Sequence, residues 1–367
     1  MRNAKSMIAL AGAVALALTL TPMFADGGAA HQTHQTPPVK MGTSGGSAND
    51  IGRLYCCGGT LGSLVMRDGV LSILSNNHIL ARSGSAVAGE HSIQPGLIDN
   101  NCSSTGTNWV GTFQSNYVPL GSANVDTAIS AANGTAAVDT SGAIIDVGVP
   151  CASTQALAIG AAVTKSGRTT GQTFGNVQAL NVNVSIQYQK GCVQGKKFTI
   201  SYTNQVSITP GTFSGGGDSG SLILSNNTTN HHPVALLYAG SSSVTIGNPI
   251  QDVVNAYQAG GHTFSFVGNG ACGTANAPVG GVEAALLNGP SENDIDFART
   301  IKERHEPDLF ARPGIIGAGI GADDTDPTQA VIVLYVDNSG GARAHGLPTE
   351  LDGVKVKVIE TDPFVAR

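Results

Sequence analysis

The sequence predicts a mainly β protein, on three observations. Residues 31–290 are poor in charge, with ten acidic and nine basic side chains, and rich in Gly, Ser, Thr, Asn and Val. Short apolar runs such as Val177–Val184 alternate with period two, which is the pattern of half-buried strands. No clear helical period occurs before Pro249–Tyr257. Many short strands between Gly and Asn turns indicate a barrel or sandwich, and the length suits two barrels of about a hundred residues each.

The first residues have the pattern of a secretory signal peptide. Arg2 and Lys5 precede an apolar run from Met7 to Leu20, and small residues follow. The run is shorter than the roughly 20 residues of a membrane span, so we expect a signal peptide over 1–25 and a protein exported to the periplasm or medium, without a membrane partner. Residues 26–50 lack periodicity and are predicted to be a flexible leader or short pro-segment.

A change in charge density marks a boundary near residue 290. Residues 291–367 carry fourteen acidic and eight basic side chains, far more densely than the preceding region. They contain one helical pattern, Glu292–Glu306, and two strand patterns, Gln329–Val336 and Val354–Glu360. We therefore expect a small α/β C-terminal module. The other predicted boundaries are 51–267 for the β region, with barrels at about 51–148 and 151–258, and 268–290 for a linker.

Charge and cysteine usage exclude several classes of function. The formal net charge is -6, and no stripe of Lys and Arg with interleaved aromatics occurs, so nucleic acid is not an expected partner. All six cysteines follow the signal, and an even number in an exported chain predicts disulfides, with 15 pairings open. Their spacings match no zinc pattern. No metal or cofactor is implied.

The stretch Ser214–Ser221 is a candidate nucleophile loop. It reads Ser-Gly-Gly-Gly-Asp-Ser-Gly-Ser. Glycines on both sides of Ser219 let the backbone turn tightly enough to aim two amides at one point, as an oxyanion pocket beside a nucleophile requires. Ser219 is therefore the predicted nucleophile of an acyl-transfer reaction.

Two upstream residues can complete a triad with Ser219. His78 follows the strand-like run Gly69–Ser75, where a rigid scaffold can aim its ring as a general base. Asp126 lies among small and apolar residues that can bury a carboxylate against the imidazole. The other acids between residues 91 and 217 are less suited to this role; they are Asp99, Asp139 and Asp146.

His78, Asp126 and Ser219 occur in this order at separations of 48 and 93 residues. With Gly217-Asp218-Ser219-Gly220, this arrangement resembles the chymotrypsin-fold, trypsin-like serine peptidases over roughly residues 52–258. The stretch Val163–Gly175 resembles the start of the second barrel in secreted bacterial peptidases of the alpha-lytic type. In that stretch we expect Lys165 and Arg168 to be solvated hairpin charges.

The resemblance implies a chymotrypsin-like double β-barrel and several further site residues. The backbone amides of Gly217 and Ser219 would form the oxyanion hole. The segment Ala235–Ser241 would pair with the substrate backbone and line the specificity pocket. No acid occurs at 212–214, so an apolar or small side chain is expected before the scissile bond. The implied substrate-binding residues are Phe213, Ser214, Tyr238, Ala239 and Gly240.

The sequence departs from the family pattern at several positions. Asn76 and Asn77 replace the small residues that are common before the histidine, and Ser221 replaces a glycine. Tyr238 stands where the family often has a serine that helps to hold the triad carboxylate. Support of Asp126 must therefore be arranged in another way, or the alignment with the family slips by one residue there.

The predicted function is that of a secreted serine endopeptidase acting on protein or peptide substrates. An inactive protease-fold binding protein and a serine esterase are the alternatives. The first would normally show damage in the triad, and the second usually carries its nucleophile in a Gly-x-Ser-x-Gly elbow among helices that are lacking before residue 250. For residues 291–367, inhibition, folding assistance and partner binding all stay open, and an intramolecular contact with the peptidase region would suit a cover over the substrate cleft.

Overall fold

The computed structural model describes residues 28–193, 195–227, 230–270, 272, 288–339 and 346–366. The predicted signal peptide and most of the predicted linker lie outside the described residues. Two large sheets and few helices make up the described chain, so the predicted mainly β fold class is confirmed.

The strands are numbered in chain order. They are β1 (Thr43–Ser47), β2 (Gly59–Leu61), β3 (Ser63–Arg67), β4 (Val70–Ser75), β5 (His91–Gln94), β6 (Asn108–Tyr117), β7 (Ala128–Ala132), β8 (Ala162–Gly167), β9 (Gly171–Gln189), β10 (Lys197–Thr209), β11 (Leu222–Ser225), β12 (Pro233–Gly240), β13 (Thr245–Pro249), β14 (Phe264–Phe266), β15 (Ile315–Ala322), β16 (Ala330–Asp337), β17 (Glu350–Leu351), β18 (Val354–Thr361) and β19 (Val365–Ala366). The α-helices are α1 (Ala29–Gln32), α2 (Asn77–Leu80), α3 (Ile250–Gln258) and α4 (Glu292–Phe310). Lys190–Val193 is a short helical segment interrupted by non-helical backbone at Gly191 and Cys192, and 3-10 turns lie at Leu97–Asp99 and Gly211–Phe213.

The first sheet has eight antiparallel strands in the order β14-β3-β4-β7-β6-β5-β1-β2. It curls so that β2 returns to β4. There, Gly62 N–H donates to the carbonyl of Leu74 at 2.9 Å, and the Ser75 hydroxyl donates to the carbonyl of Thr60 at 2.7 Å. The inward faces of the strands enclose one apolar core, to which α3 contributes Val253.

The second sheet contains a closed ring of six strands, β8 to β13. The ring closes because β10 pairs with β13 on one edge and with β9 on the other. Strands β9 and β10 form a long hairpin in which alternate residues of β9 are buried, among them Val182, Val184, Ile186 and Tyr188. The two curled sheets agree with the expected double barrel.

Residues after 290 extend the second sheet. Strand β15 pairs with β9, and β16, β18 and β17 continue outward from β15. Helix α4 is capped at its N-terminus by Ser291, whose hydroxyl accepts the Asp294 N–H, and it packs on β15 and β16 through Ala298 and Ile301. The helix and both strands that the sequence predicts here are present; the division of the chain into a peptidase region and a module stays a prediction.

The prediction of a flexible leader over 26–50 is wrong for the described residues 28–50. Strand β1 pairs with both β2 and β5, and His31 is buried with its ring nitrogens 2.7 Å from Gly42 O and 2.9 Å from Asp146 Oδ2. A Cβ added at Gly45 would lie 2.4 Å from the side chain of Leu61. This strand needs small residues for close packing, which is why it lacks the usual apolar alternation.

The six cysteines form three disulfides, which confirms that they are paired. The bridges are Cys56–Cys102, Cys57–Cys192 and Cys151–Cys272. The second bridge ties the turn of the β9–β10 hairpin to the chain just before β2. Within the described ranges, no helix has the length and apolar character that a bilayer crossing demands.

Candidate active site

His78 and Asp126 meet at one end of the first sheet. His78 lies in α2 directly after β4, and Asp126 lies two residues before β7, the strand that pairs with β4. His78 Nδ1 is 2.6 Å from Asp126 Oδ2, and the backbone N–H of His78 donates to Asp126 Oδ1 at 3.3 Å. The carboxylate is fully buried. A buried carboxylate at Nδ1 fixes the tautomer of the ring and makes Nε2 the nitrogen that can accept a proton.

Three further residues hold Asp126. Tyr188 donates its hydroxyl to Asp126 Oδ2 at 2.9 Å. The side-chain amide of Asn76 donates to the carbonyl of Asp126 at 2.7 Å, and the Asp126 N–H donates to Asn248 Oδ1 at 2.9 Å. Burial, with the nearby charge of Asp126, raises the pKa of Tyr188 well above its usual value, so the phenol stays protonated as a donor. The departure at Asn76 thus supplies a hydrogen bond to the acid.

Tyr188 was missed by sequence reasoning. The local pattern that indicates its burial is the alternation of buried and more exposed residues along β9, which buries Tyr188 together with Ile186. A buried tyrosine hydroxyl normally has a hydrogen-bond partner. The identity of that partner depends on how the hairpin folds back on the first sheet, which no local pattern reveals. The Tyr188 hydroxyl also lies 2.8 Å from that of Tyr202 across the hairpin.

The loop that carries Ser219 is held by the carboxylate of Asp218. That carboxylate accepts the backbone N–H groups of Thr169 and Gly215, each at 2.8 Å. The loop also needs Gly217, whose φ of +98° belongs to the left-handed region that favours glycine. The turn is therefore fixed by bonds that do not depend on a ligand.

The prediction that Lys165 and Arg168 are solvated hairpin charges is wrong. Lys165 has no exposed surface, donates to the carbonyl of Gly171 at 2.8 Å and lies 3.4 Å from Asp218. Burial lowers the pKa of Lys165, and the charge of Asp218 opposes that effect. Arg168 pairs with both carboxylate oxygens of Asp99, at 2.6 and 2.5 Å, and so joins the two sheets. Both contacts bring together residues that are distant in sequence.

Ser219 lies between the two sheets with no exposed surface. Its hydroxyl donates to the carbonyl of Tyr238 at 3.1 Å, and its own carbonyl accepts the N–H of Thr60 at 2.8 Å. The Ser75 hydroxyl, three residues before His78, donates to that same Thr60. Ser219 is thus anchored to the strand end from which His78 projects.

The amides of the nucleophile loop divide into two groups. Those of Asp218 and Gly220 donate to the carbonyls of Gly215 and Leu237, at 3.1 and 2.9 Å. Within the part of the chain that the structure describes, those of Gly217 and Ser219 donate to no protein acceptor. These are the two amides that the sequence motif assigns to an oxyanion hole.

Four of the five predicted substrate-binding residues have buried side chains, and the fifth is Gly240. Phe213 belongs to the core of the closed ring, and the ring of Tyr238 lies 5.1 Å from that of Tyr202. Both side chains are enclosed by the second barrel, and their role in substrate binding stays a prediction. The Ser214 hydroxyl is engaged with Thr245 at 2.6 Å. The other two predicted residues, Ala239 and Gly240, form the second half of β12, directly after the carbonyl that Ser219 contacts.

A cavity of about 360 Å³ lies beside His78. Its lining includes Asp50 and Arg82 from the first sheet region, and Val365 and Ala366 from β19. Burial raises the pKa of Asp50 to about 6, against the opposing electrostatic effects of Arg82 and His78. The cavity thus contains a titratable carboxyl near the imidazole.

No family model and no curated protein matches the chain. Among solved structures, it is similar to a glutamic acid specific serine protease described as using a novel histidine triad in substrate binding, with 19% identity over 62% of this chain and 100% of that one, at a TM-score of 0.40. Thermobifida fusca Protease A is 16% identical over 63% of this chain and 99% of its own, at 0.40. An alpha-lytic protease homolog, N4, is 18% identical over 60% and 96%, at 0.38.

Proposed function

We propose that the protein is a secreted serine endopeptidase that hydrolyses peptide bonds through an acyl-enzyme. The observation that carries this proposal is the 2.6 Å contact of His78 Nδ1 with the buried carboxylate of Asp126. A neutral imidazole oriented in this way takes the Ser219 hydroxyl proton as the serine oxygen attacks the substrate carbonyl carbon. It then gives that proton to the leaving amine, and a water molecule enters by the same route to release the acyl group.

The amides of Gly217 and Ser219 stabilise the negative oxygen of the tetrahedral intermediate. One such donor contributes about 3 kcal/mol of transition-state stabilisation when it is aimed in advance. The bonds of Asp218 to Thr169 and Gly215, which fix the turn without a ligand, support this role.

Tyr188 acts as a positioning residue for Asp126. Through the β9–β10 hairpin, Tyr188 takes the role that the family often gives to a serine at the position of Tyr238. The 2.9 Å bond from its hydroxyl to the same oxygen that contacts His78 supports this assignment. A second hydrogen bond to that oxygen restricts the carboxylate to the orientation that holds the imidazole.

The substrate is an extended peptide or protein segment that binds beside Ala239 and Gly240. Since residues 212–214 contain no acid, the side chain before the scissile bond is apolar or small. Three disulfides suit a compartment outside the cytoplasm, which supports export. The pairing of β15 with β9 supports an intramolecular contact between residues after 290 and the peptidase region.

The test combines a fluorophosphonate probe with hydrolysis of casein. Wild type is compared with Ser219→Ala, and Ser104→Ala, at an exposed loop serine, serves as the matched control. Because β19 lies over the cleft, both the full chain and a chain that ends at Glu360 are assayed. Labelling and cleavage that are lost only in Ser219→Ala support the endopeptidase. Ester cleavage with intact casein supports an esterase, and absence of labelling in both chains supports a binding protein.

A further inference from the structure

The second half of β12 has a backbone edge beside Ser219. On one side, Ala239 and Gly240 pair with β13. On the other side, β11 pairs only with Pro233–Leu236, so its ladder ends before the carbonyl of Tyr238 that accepts the Ser219 hydroxyl. A strand edge of this kind is a template for another extended segment.

Strand β19 occupies that edge. Ala366 pairs with Ala239 and Val365 pairs with Gly240, in antiparallel register. On its other side, Val365 lies opposite Gln187 of β9, one residue from Tyr188. The segment is therefore held between the strand that adjoins the nucleophile and the strand that supports the triad acid.

Residues just before β19 fix the segment in place. The Thr361 hydroxyl donates to the buried Ser241 hydroxyl at 2.6 Å, and Asp362 Oδ1 accepts the Ser242 N–H at 2.7 Å. Phe364 is 1% exposed in the core of the second sheet, and its carbonyl accepts the Gln187 N–H at 2.9 Å. These side-chain and backbone hydrogen bonds form a specific binding site for residues 361–366.

Strand β19, which occupies this edge of β12, also covers the candidate active site. Val365 and Ala366 line the same cavity as His78, and Ser219 has no exposed surface. An endopeptidase nucleophile has to reach a peptide bond in another chain. A substrate strand and β19 cannot pair with the same backbone groups of Ala239 and Gly240 at once.

We propose that residues 361–366 dock as a β-strand on the Ala239–Gly240 edge and keep peptide substrates out of the site. The occupant of this surface is thus a segment of the chain itself, and the protein is latent until the segment is displaced or removed. This inference rests on the proposed endopeptidase function, and it adds regulation of the same site.

The test compares kcat/KM for a fluorogenic peptide in the full chain and in the chain that ends at Glu360. A segment docked in more than about nine-tenths of molecules lowers the apparent activity at least about ten-fold, so the shortened chain is expected to gain at least that much. A synthetic peptide of residues 359–367, added to the shortened chain, is expected to inhibit in competition with substrate. Equal activity of the two chains, with no competition by the peptide, overturns the inference and leaves the proposed function intact.

A point variant covers the case in which the shortened chain does not fold. Val365→Pro removes a backbone N–H from the added strand and is expected to raise the activity of the full chain. Phe297→Ala, an exposed aromatic of α4, is the control that leaves the segment in place. An unchanged kcat/KM in folded Val365→Pro, with Ser219 labelled at the wild-type rate, contradicts the docking model. Absence of Ser219 labelling in every form refutes the proposed function itself.

Discussion

The two halves of the candidate site are held in different ways. Around Ser219, the loop is fixed by Asp218, whose partners Thr169 and Gly215 lie in loops that connect strands of the second sheet. Around His78, the acid Asp126 belongs to the first sheet but depends on Tyr188 from the second. The turn before Ser219 is thus fixed mainly by Asp218 within the second barrel, although Thr60 of the first barrel also donates to the Ser219 carbonyl, whereas Asp126 depends on a side chain from the other barrel. We therefore expect substitutions at the contact between the barrels to disturb the orientation of Asp126. Substitutions beneath the Ser219 loop should instead lower the free energy of unfolding.

The largest expected effect is that of Asp126→Asn. An amide keeps the shape but no longer fixes the productive tautomer of His78, so we expect kcat to fall by about 10⁴-fold. The measurement is the turnover of a fluorogenic peptide by the chain that ends at Glu360. Asp139→Asn, which changes a half-buried acid outside the candidate site, is the matched control. Retention of more than a tenth of the activity in Asp126→Asn would remove Asp126 from the mechanism.

Next in size is the effect of removing the buried cation under the nucleophile loop. Lys165→Met leaves the buried carboxylate of Asp218 without its cation, so the free energy of unfolding is expected to fall by about 3 kcal/mol. Urea unfolding followed by circular dichroism measures this change. Arg299→Met breaks an exposed ion pair and should cost less than about 1 kcal/mol. Equal stability of the two variants would mean that Lys165 does not support the loop.

Tyr188→Phe tests the contact between the barrels. Loss of one hydrogen bond to a charged group costs about 1.5 kcal/mol, so kcat should fall about ten-fold while KM changes little. The control Tyr202→Phe removes a neighbouring hydroxyl but leaves the bond from Tyr188 to Asp126 in place. A kcat equal to that of wild type, or a loss confined to KM, would show that Tyr188 does not position the acid.

The smallest effect concerns Asp50 and pH. Its pKa of about 6 in the fold lies above the ordinary 3.8, so folding favours its protonated form. The stability that this preference contributes is present below about pH 4 and is lost as the pH rises through about 6. Asp50→Asn should not lose stability in this way as the pH rises. We place the loss of stability in the wild type at about 1 kcal/mol, because the Asp50 side chain is partly exposed. The Tm at pH 4.5 and pH 7 measures it, and an identical pH dependence in variant and wild type would contradict the shift.

The features that sequence could predict are those encoded locally. Ser219 is marked by its own glycines, and the nearby strand pattern marks His78. Tyr188 could not be identified as a support of Asp126, because that contact depends on the register of a hairpin with several irregularities between Tyr202 and Ile208. The buried state of Lys165 was equally hidden, since its partner Asp218 is distant along the chain. Composition misled where small residues serve close packing, as at Gly45 in β1.

The central claim is that the His78–Asp126 pair activates Ser219. The most direct measurement is the rate at which a fluorophosphonate modifies the chain that ends at Glu360, with the adduct located by mass spectrometry. We predict one adduct, on Ser219, that forms at least about 10³-fold more slowly in Asp126→Asn. An adduct on another residue, or a rate that does not change in Asp126→Asn, would contradict the claim.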